Sequence, residues 1–270
     1  MTKTIARAAL AAVLALTAAA CGDTDEGSDE AAAEAPAAEE GAFPVTIEHA
    51  FGETTIEEAP ERVVTWGWGS ADAAIALDVI PVAIPFEGYG GDEEGVLPWI
   101  REAVEASGEE MPEVLPDSEE APIEAILAQD PDVVLAAYSG LTDAEYQALS
   151  AAGVPVVAYP GEPWATPWRE LIEIVGTALG RSEEATALLE EIDAQVAEQA
   201  EAHPELAGKS VAMVWDTGDT FYVYKAADPR AEFAVDLGMT TAPAVESLAT
   251  DESTFYFTLS KERLAELESD

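Results

Sequence analysis

Cysteine occurs once in these 270 residues and histidine twice, and lysine plus arginine number 11 against 55 acidic side chains. A single Cys21 excludes an internal disulfide framework. His49 and His203 have no companion Cys or nearby His at ligand spacing, so the usual His/Cys zinc sites are excluded. A formal charge of -44 excludes nucleic-acid binding through clustered cations. There is no G-x-S-x-G elbow, and Gly67-Trp68-Gly69-Ser70 lacks the lysine and spacing of a phosphate loop. The common catalytic signals are missing together, so the chain reads as a binder that catalyses nothing. Its acidic surface favours a soluble monomer.

What is present begins with an export signal. Lys3 and Arg7 precede the apolar run Ala8–Ala20, too short for a comfortable membrane span and of leader proportions. The segment Leu16-Thr17-Ala18-Ala19-Ala20-Cys21 resembles a bacterial lipobox, with Ala18 where Leu is preferred. Residues 1–20 are read as a lipoprotein signal peptide and Cys21 as the lipidated first residue. Ordinary cleavage after Ala20 is the alternative. Residues 21–42 are acidic, rich in alanine and short of aromatics, and read as a disordered tether.

The folded part is expected from Phe43. Pro44–Glu48 and Thr54–Glu57 alternate around Gly52 and predict a hairpin. Strands at 62–66, 81–84, 132–136 and 154–158 then take turns with helices at 71–77, 96–106, 123–128 and 143–152. Short apolar strands between amphipathic helices predict a mostly parallel sheet covered on both faces. Trp168–Leu179 forms a helix ending at Gly180, and Ser182 caps a long helix reaching His203 with a Leu188, Leu189, Ile192, Val196 stripe. Strands resume at 210–215 and 221–224, followed by a helix at 231–237. The organisation is an N-terminal α/β lobe (43–181), a bridging helix (182–203) and a smaller C-terminal α/β lobe (204–270).

Ligands of open α/β sheets bind at the carboxyl ends of the strands. There the sequence places aromatics beside glycines, which suits a bulky ligand with greasy and polar parts. Trp66, Trp68, Tyr89, Tyr138, Trp215, Tyr222 and Tyr224 are the candidate ligand-binding residues. Trp66 and Trp68 share a face if the first strand continues, as do Tyr222 and Tyr224. Trp99 and Trp168 lie within helices and read as core.

Glu61-Arg62-Val63-Val64 leading to the helix at Ala71–Leu77 resembles the opening of the Fe/B12 periplasmic-binding domain family. Ile123–Leu135, with its Asp130-Pro131-Asp132 before a buried strand, is similar to another segment of that family. So is Ser260-Lys261-Glu262-Arg263-Leu264 near the end. The resemblance covers residues 44 to 270. It implies two Rossmann-like lobes bridged by one long helix, the class III periplasmic-binding-protein architecture, with little closure on the ligand. It implies the solute-binding lipoprotein of an iron–siderophore ABC importer, held at the outer face of the membrane, with a permease and ATPase as partners. No cofactor or resident metal is implied, because the siderophore holds the iron. Asp72 and Glu232 take the positions of the family's permease-docking acids. Anionic ferric complexes need an arginine in the cleft; Arg101, Arg169 and Arg230 are the candidates, with Arg230 first. A neutral or cationic hydroxamate complex suffers least from the chain's charge. The family continues beyond the Ser260–Leu264 segment, so the second lobe is expected to be truncated. Cobalamin or haem is the same-class rival; a secreted α/β hydrolase and a surface adhesin are the rivals of other classes.

Overall fold

The computed structural model describes residues 38–251, 253 and 255–267. The leader, Cys21 and residues 21–37 of the expected tether lie outside them.

The first elements are a hairpin of β1 (Val45–His49) and β2 (Gly52–Ile56), antiparallel with Val45 opposite Ile56. A parallel sheet follows, formed by β3 (Val63–Thr65), β4 (Ala83–Ile84), β5 (Glu113–Val114), β6 (Val133–Ala136) and β7 (Val156–Ala158) in the order β5-β4-β3-β6-β7. The strands β3, β6 and β7 are buried along their whole length. Alternation divides their side chains between two cores. Val63, Val133, Leu135 and Val157 join one core; Val64, Val134, Ala136, Val156 and Ala158 join the other. Helices on both faces explain why these strands read as continuous apolar runs. The helices α1 (Ser70–Ala76), α5 (Trp168–Ala178) and α6 (Ser182–Ala202) cover the first face, and α3 (Ile123–Leu127) and α4 (Asp143–Ala151) the second. Between α1 and α3, α2 (Pro98–Ser107) closes a satellite core through Ile100 and Val104. The two-residue β5 pairing lies in a stretch that carries no strand signal of its own.

Helix α6 spans 21 residues, about 31 Å at the α-helical rise. Ala185, Leu189 and Val196 are its buried stripe, with Leu188 and Ile192 packed beside it. It lies tightly on α5, since a Cβ on Gly176 would stand 2.4 Å from the Ala185 Cβ. Ser182 is the first helical residue, not the cap; the capping position is Arg181. Glu39 takes over the capping role, its Oε1 accepting from the Glu183 N–H at 2.5 Å, while its own N–H donates to Gly180 O. Residues 38–42, read as tether, are thus docked on the α5–α6 corner.

Beyond α6 come β8 (Ser210–Val211), β9 (Val214–Asp216), β10 (Phe221–Tyr224), α7 (Pro229–Asp236), β11 (Thr240–Thr241), α8 (Pro243–Leu248) and β12 (Tyr256–Thr258). The single strand expected at 210–215 is two, because its halves have different partners. β8 pairs parallel with β11, whereas β9 pairs antiparallel with β10 in a β12-β10-β9 sheet. Val223 and Phe257 face a small core on one side of that sheet. Its other side carries the aromatics.

Candidate ligand-binding chamber

In the N-terminal sheet the chain runs outward from β3 to β5 and then returns to β6 beside β3. The loops after β3 and β6 therefore diverge, leaving a crevice at the carboxyl ends of the strands. Gly67, at φ +82°, turns the chain out of β3 so closely that an added Cβ would lie 2.4 Å from Tyr138 O. That turn sends Trp68 into the crevice and lets its N–H bond Tyr138 O at 3.0 Å. Trp66, on the other side of the turn, donates its N–H to Leu135 O and is 8% exposed in the second core. The expectation that Trp66 lines the site is corrected: the strand does not continue, so the two tryptophans part company. Trp164 reaches the same place from the loop after β7, its N–H bonded to Ser139 O.

The C-terminal wall is a face of the β9-β10-β12 sheet. Trp215 pairs across strands with Tyr222, and Tyr224 with Tyr256. Period-two alternation places these rings on one face and Val223 on the other. Trp215 and Tyr222 stack at 5.6 Å, and Tyr222 meets Tyr256 edge-on at 5.3 Å. On the facing wall Trp68, Tyr138 and Trp164 form a second aromatic triad with centroids 5.3 to 6.4 Å apart.

Together Trp68, Tyr138, Trp164, Trp215, Tyr222, Tyr224, Arg230, Phe255 and Tyr256 enclose a cavity of about 210 Å³. Six of the eight residues expected at the site line it. Tyr89 does not: it stands 85% exposed on its glycine-rich loop, where no packed element holds it inward. Trp164, Phe255 and Tyr256 were missed. Trp164 follows the fourth strand exit, which was a usable signal; Tyr256 depends on a strand pairing that the sequence does not announce.

Arg230 is the charged side chain among the described residues lining this chamber. Its guanidinium lies 3.8 Å from the Tyr224 ring centroid and 5.9 Å from that of Trp68, bridging the two walls. Asp228 holds it from behind: Oδ1 accepts from Arg230 Nε at 2.8 Å and Oδ2 from Nη2 at 2.6 Å. The same Oδ1 accepts the Arg230 N–H and so caps α7. Asp228 is 0% exposed, whereas the Arg230 side chain is 37% exposed. The other candidate arginines are committed elsewhere. Arg101 pairs with Asp92 and Glu94, and Arg169 with Asp193, Glu232 and Asp236.

Burial, with the Asp228 charge adding and Arg230 opposing, pushes the Tyr138 phenol up to about 12. Burial also raises Tyr224, with Arg230 opposing and the Asp228 charge adding. These phenols stay protonated at neutral pH, so they offer π-faces and hydrogen bonds, not anionic metal ligands. The chamber can clasp a bulky ligand between aromatic walls and hydrogen-bond its oxygens.

Of the two acids assigned to docking, Asp72 is half-buried and its Oδ1 accepts from the Trp99 indole at 2.7 Å. Trp99 itself, read as core, is 56% exposed. Glu232 belongs to the ion cluster on Arg169 that joins α5, α6 and α7. Burial and Asp236 raise its carboxyl, while Arg169 opposes them.

Glu87 shares a narrow recess with Asp72 behind the Gly67–Gly69 loop. Burial, then the Asp72 charge, push its carboxyl up to about 7 from 4.5. Between those values the folded chain holds the proton and the unfolded chain does not. The protonated group's contribution is complete below about pH 4.5 and is lost as pH rises through about 7. Thermal unfolding should therefore show a fall in midpoint across this window that Glu87→Gln removes. Parallel curves for the two proteins would dispose of the assignment.

The chain matches a model described as "Periplasmic binding protein" over residues 64–270. It is 35% identical to the Streptococcus pneumoniae PiaA structure in complex with ferrichrome, with a TM-score of 0.74 over 82% of this chain and 75% of that one. A periplasmic solute binding protein from Mycobacterium smegmatis is 28% identical, with a TM-score of 0.66 over 82% and 73% of the two chains. The Fe(3+) dicitrate-binding periplasmic protein FecB of Escherichia coli is 27% identical over 164 residues, 61% of this chain. The chain spans about half (52%) of the length of that curated relative. A family match over most of the chain, with the shared α/β architecture beneath it, makes this protein a member of the periplasmic binding protein family.

Proposed function

We propose that the protein captures a ferric siderophore outside the cytoplasm and delivers it to an ABC importer. The observation that carries this reading is the aromatic chamber at the sheet's switch point, walled by three rings on one side and five on the other and spanned by one guanidinium. A compact metal chelate presents just such a mixture, a flat organic periphery with oxygen atoms around the metal. The likeness to a ferrichrome-bound protein supports it. Cys21 tethers the protein to the outer face of the membrane as a lipoprotein, and it works as a monomer. Asp72 and Glu232 meet the permease, Glu232 exchanging its contact with Arg169 for one with the partner.

Trp68, Trp164 and Trp215 lie in the chamber, so a bound iron complex should quench intrinsic fluorescence. Titration with ferrichrome should give saturable quenching, and Trp68→Ala should weaken binding about tenfold or more, as loss of a central aromatic contact does. Absence of quenching and of binding heat with every ferric complex offered would sink the receptor reading. In cells, Cys21→Ser should abolish incorporation of labelled fatty acid; retained label would refute the anchor.

A further inference from the structure

We infer that Asp228 sets the charge selectivity of the chamber, tuning it to uncharged ferric complexes such as trihydroxamates and against anionic carboxylates and catecholates. This deepens the proposed function and rests on it. An arginine facing a cleft ordinarily attracts anions, by offering a planar fork of donors to a carboxylate. Here that fork is already occupied. Nε and one Nη of Arg230 point at Asp228, 2.8 and 2.6 Å away, and the carboxylate is wholly buried. The pair has no net charge, and Arg230 presents to the cavity its remaining N–H donors and a face already stacked on Tyr224 at 3.8 Å.

Among the described residues, nothing around the pair restores a positive field. The remaining lining residues are aromatic. The larger opening of about 750 Å³ that adjoins the chamber through Trp164, Phe255 and Tyr256 carries Glu162, Asp251 and Lys225. The Lys225 ammonium donates to the backbone oxygens of Thr250 and Ser253. Over the whole chain the charge is -44. A trianionic ferric tris-catecholate entering this site would lose its hydration without gaining an unpaired cation. A neutral ferric trihydroxamate would give up less solvation, stack on the rings and accept hydrogen bonds at its oxygens.

The test compares ferrichrome, ferric dicitrate and a ferric tris-catecholate by calorimetry on the wild-type protein and on Asp228→Asn. Asparagine keeps a carbonyl to cap α7 and to accept from Arg230, but removes the charge. Wild type should bind ferrichrome and prefer it over both anions, with little dependence on salt. In Asp228→Asn the ratio of anion to ferrichrome affinity should rise on the order of 10- to 100-fold, the scale of one charge-assisted contact. The inference falls if wild type binds an anionic complex as tightly as ferrichrome, a result that leaves the receptor reading intact and needs no variant to fold. It also falls if the variant, shown folded by its thermal transition, keeps the wild-type ratio. If no ferric complex of any charge binds, the receptor reading itself fails and takes this one with it.

Discussion

Arg230→Ala should lower stability by about 3 kcal/mol at neutral pH, with Asp228→Asn restoring most of it. Removing one partner of a buried ion pair typically costs about 3–5 kcal/mol, because the other charge is left in a low-dielectric site. The lower end applies, since the guanidinium side is 37% exposed and water can reach the gap. In the variant the Asp228 carboxylate keeps the residue-230 backbone N–H and loses both guanidinium bonds. The double variant removes the charge as well as its partner. Equilibrium denaturation of the four proteins in the cycle measures the coupling. A loss below about 1 kcal/mol for Arg230→Ala, or no rescue by the second change, would mean that the guanidinium and the buried carboxylate are not energetically coupled.

Gly67→Ala should be as damaging and should distort one wall of the chamber as well. A non-glycine residue in the left-handed region costs about 1–2 kcal/mol, and φ here is +82°. The new Cβ would also lie 2.4 Å from Tyr138 O and 2.6 Å from Ser139 Cβ, and those neighbours cannot yield without moving the loop after β6. The total should reach about 3 kcal/mol, strain and overpacking together. Because Trp68 and Tyr138 flank the clash, ferrichrome affinity should fall by about tenfold or more, one lost wall contact being worth at least that much. Gly153→Ala separates the two causes. Its φ is +87° but nothing lies within 4 Å of an added Cβ, so it should lose only the backbone share and leave binding unchanged. Equal thermal shifts for the two variants would remove the case for close approach at Gly67.

Much of the N-terminal sheet was readable in one dimension because its determinants are local. Val133-Val134-Leu135-Ala136 is apolar on both faces, and the hairpin alternates around Gly52, so each declares its own environment. The stripe on α6 likewise foretold a helix with one buried side. Failures began where a residue's environment depends on a distant partner. The segment 210–215 looks like one strand, yet β11 and β10 claim its two halves. Trp66 and Trp68 look equivalent until Gly67 turns between them. Asp228, one acid among 55, became distinctive only as a fully buried group holding Arg230.

The amino-acid order by itself determined the alternation of strands and helices, the long connecting helix, the acidic charge and the aromatic-glycine strand exits, since composition and periodicity act over a few residues. Tertiary structure decided which rings meet. Strand order opens the crevice between the β3 and β6 loops, and cross-strand register sets Tyr256 beside Tyr224. Position in the chamber chooses Arg230 over Arg101 and Arg169, and a wholly buried Asp228 neutralises it. The strand order and the ring contacts depend on pairings across dozens of residues, whose geometry no local pattern encodes.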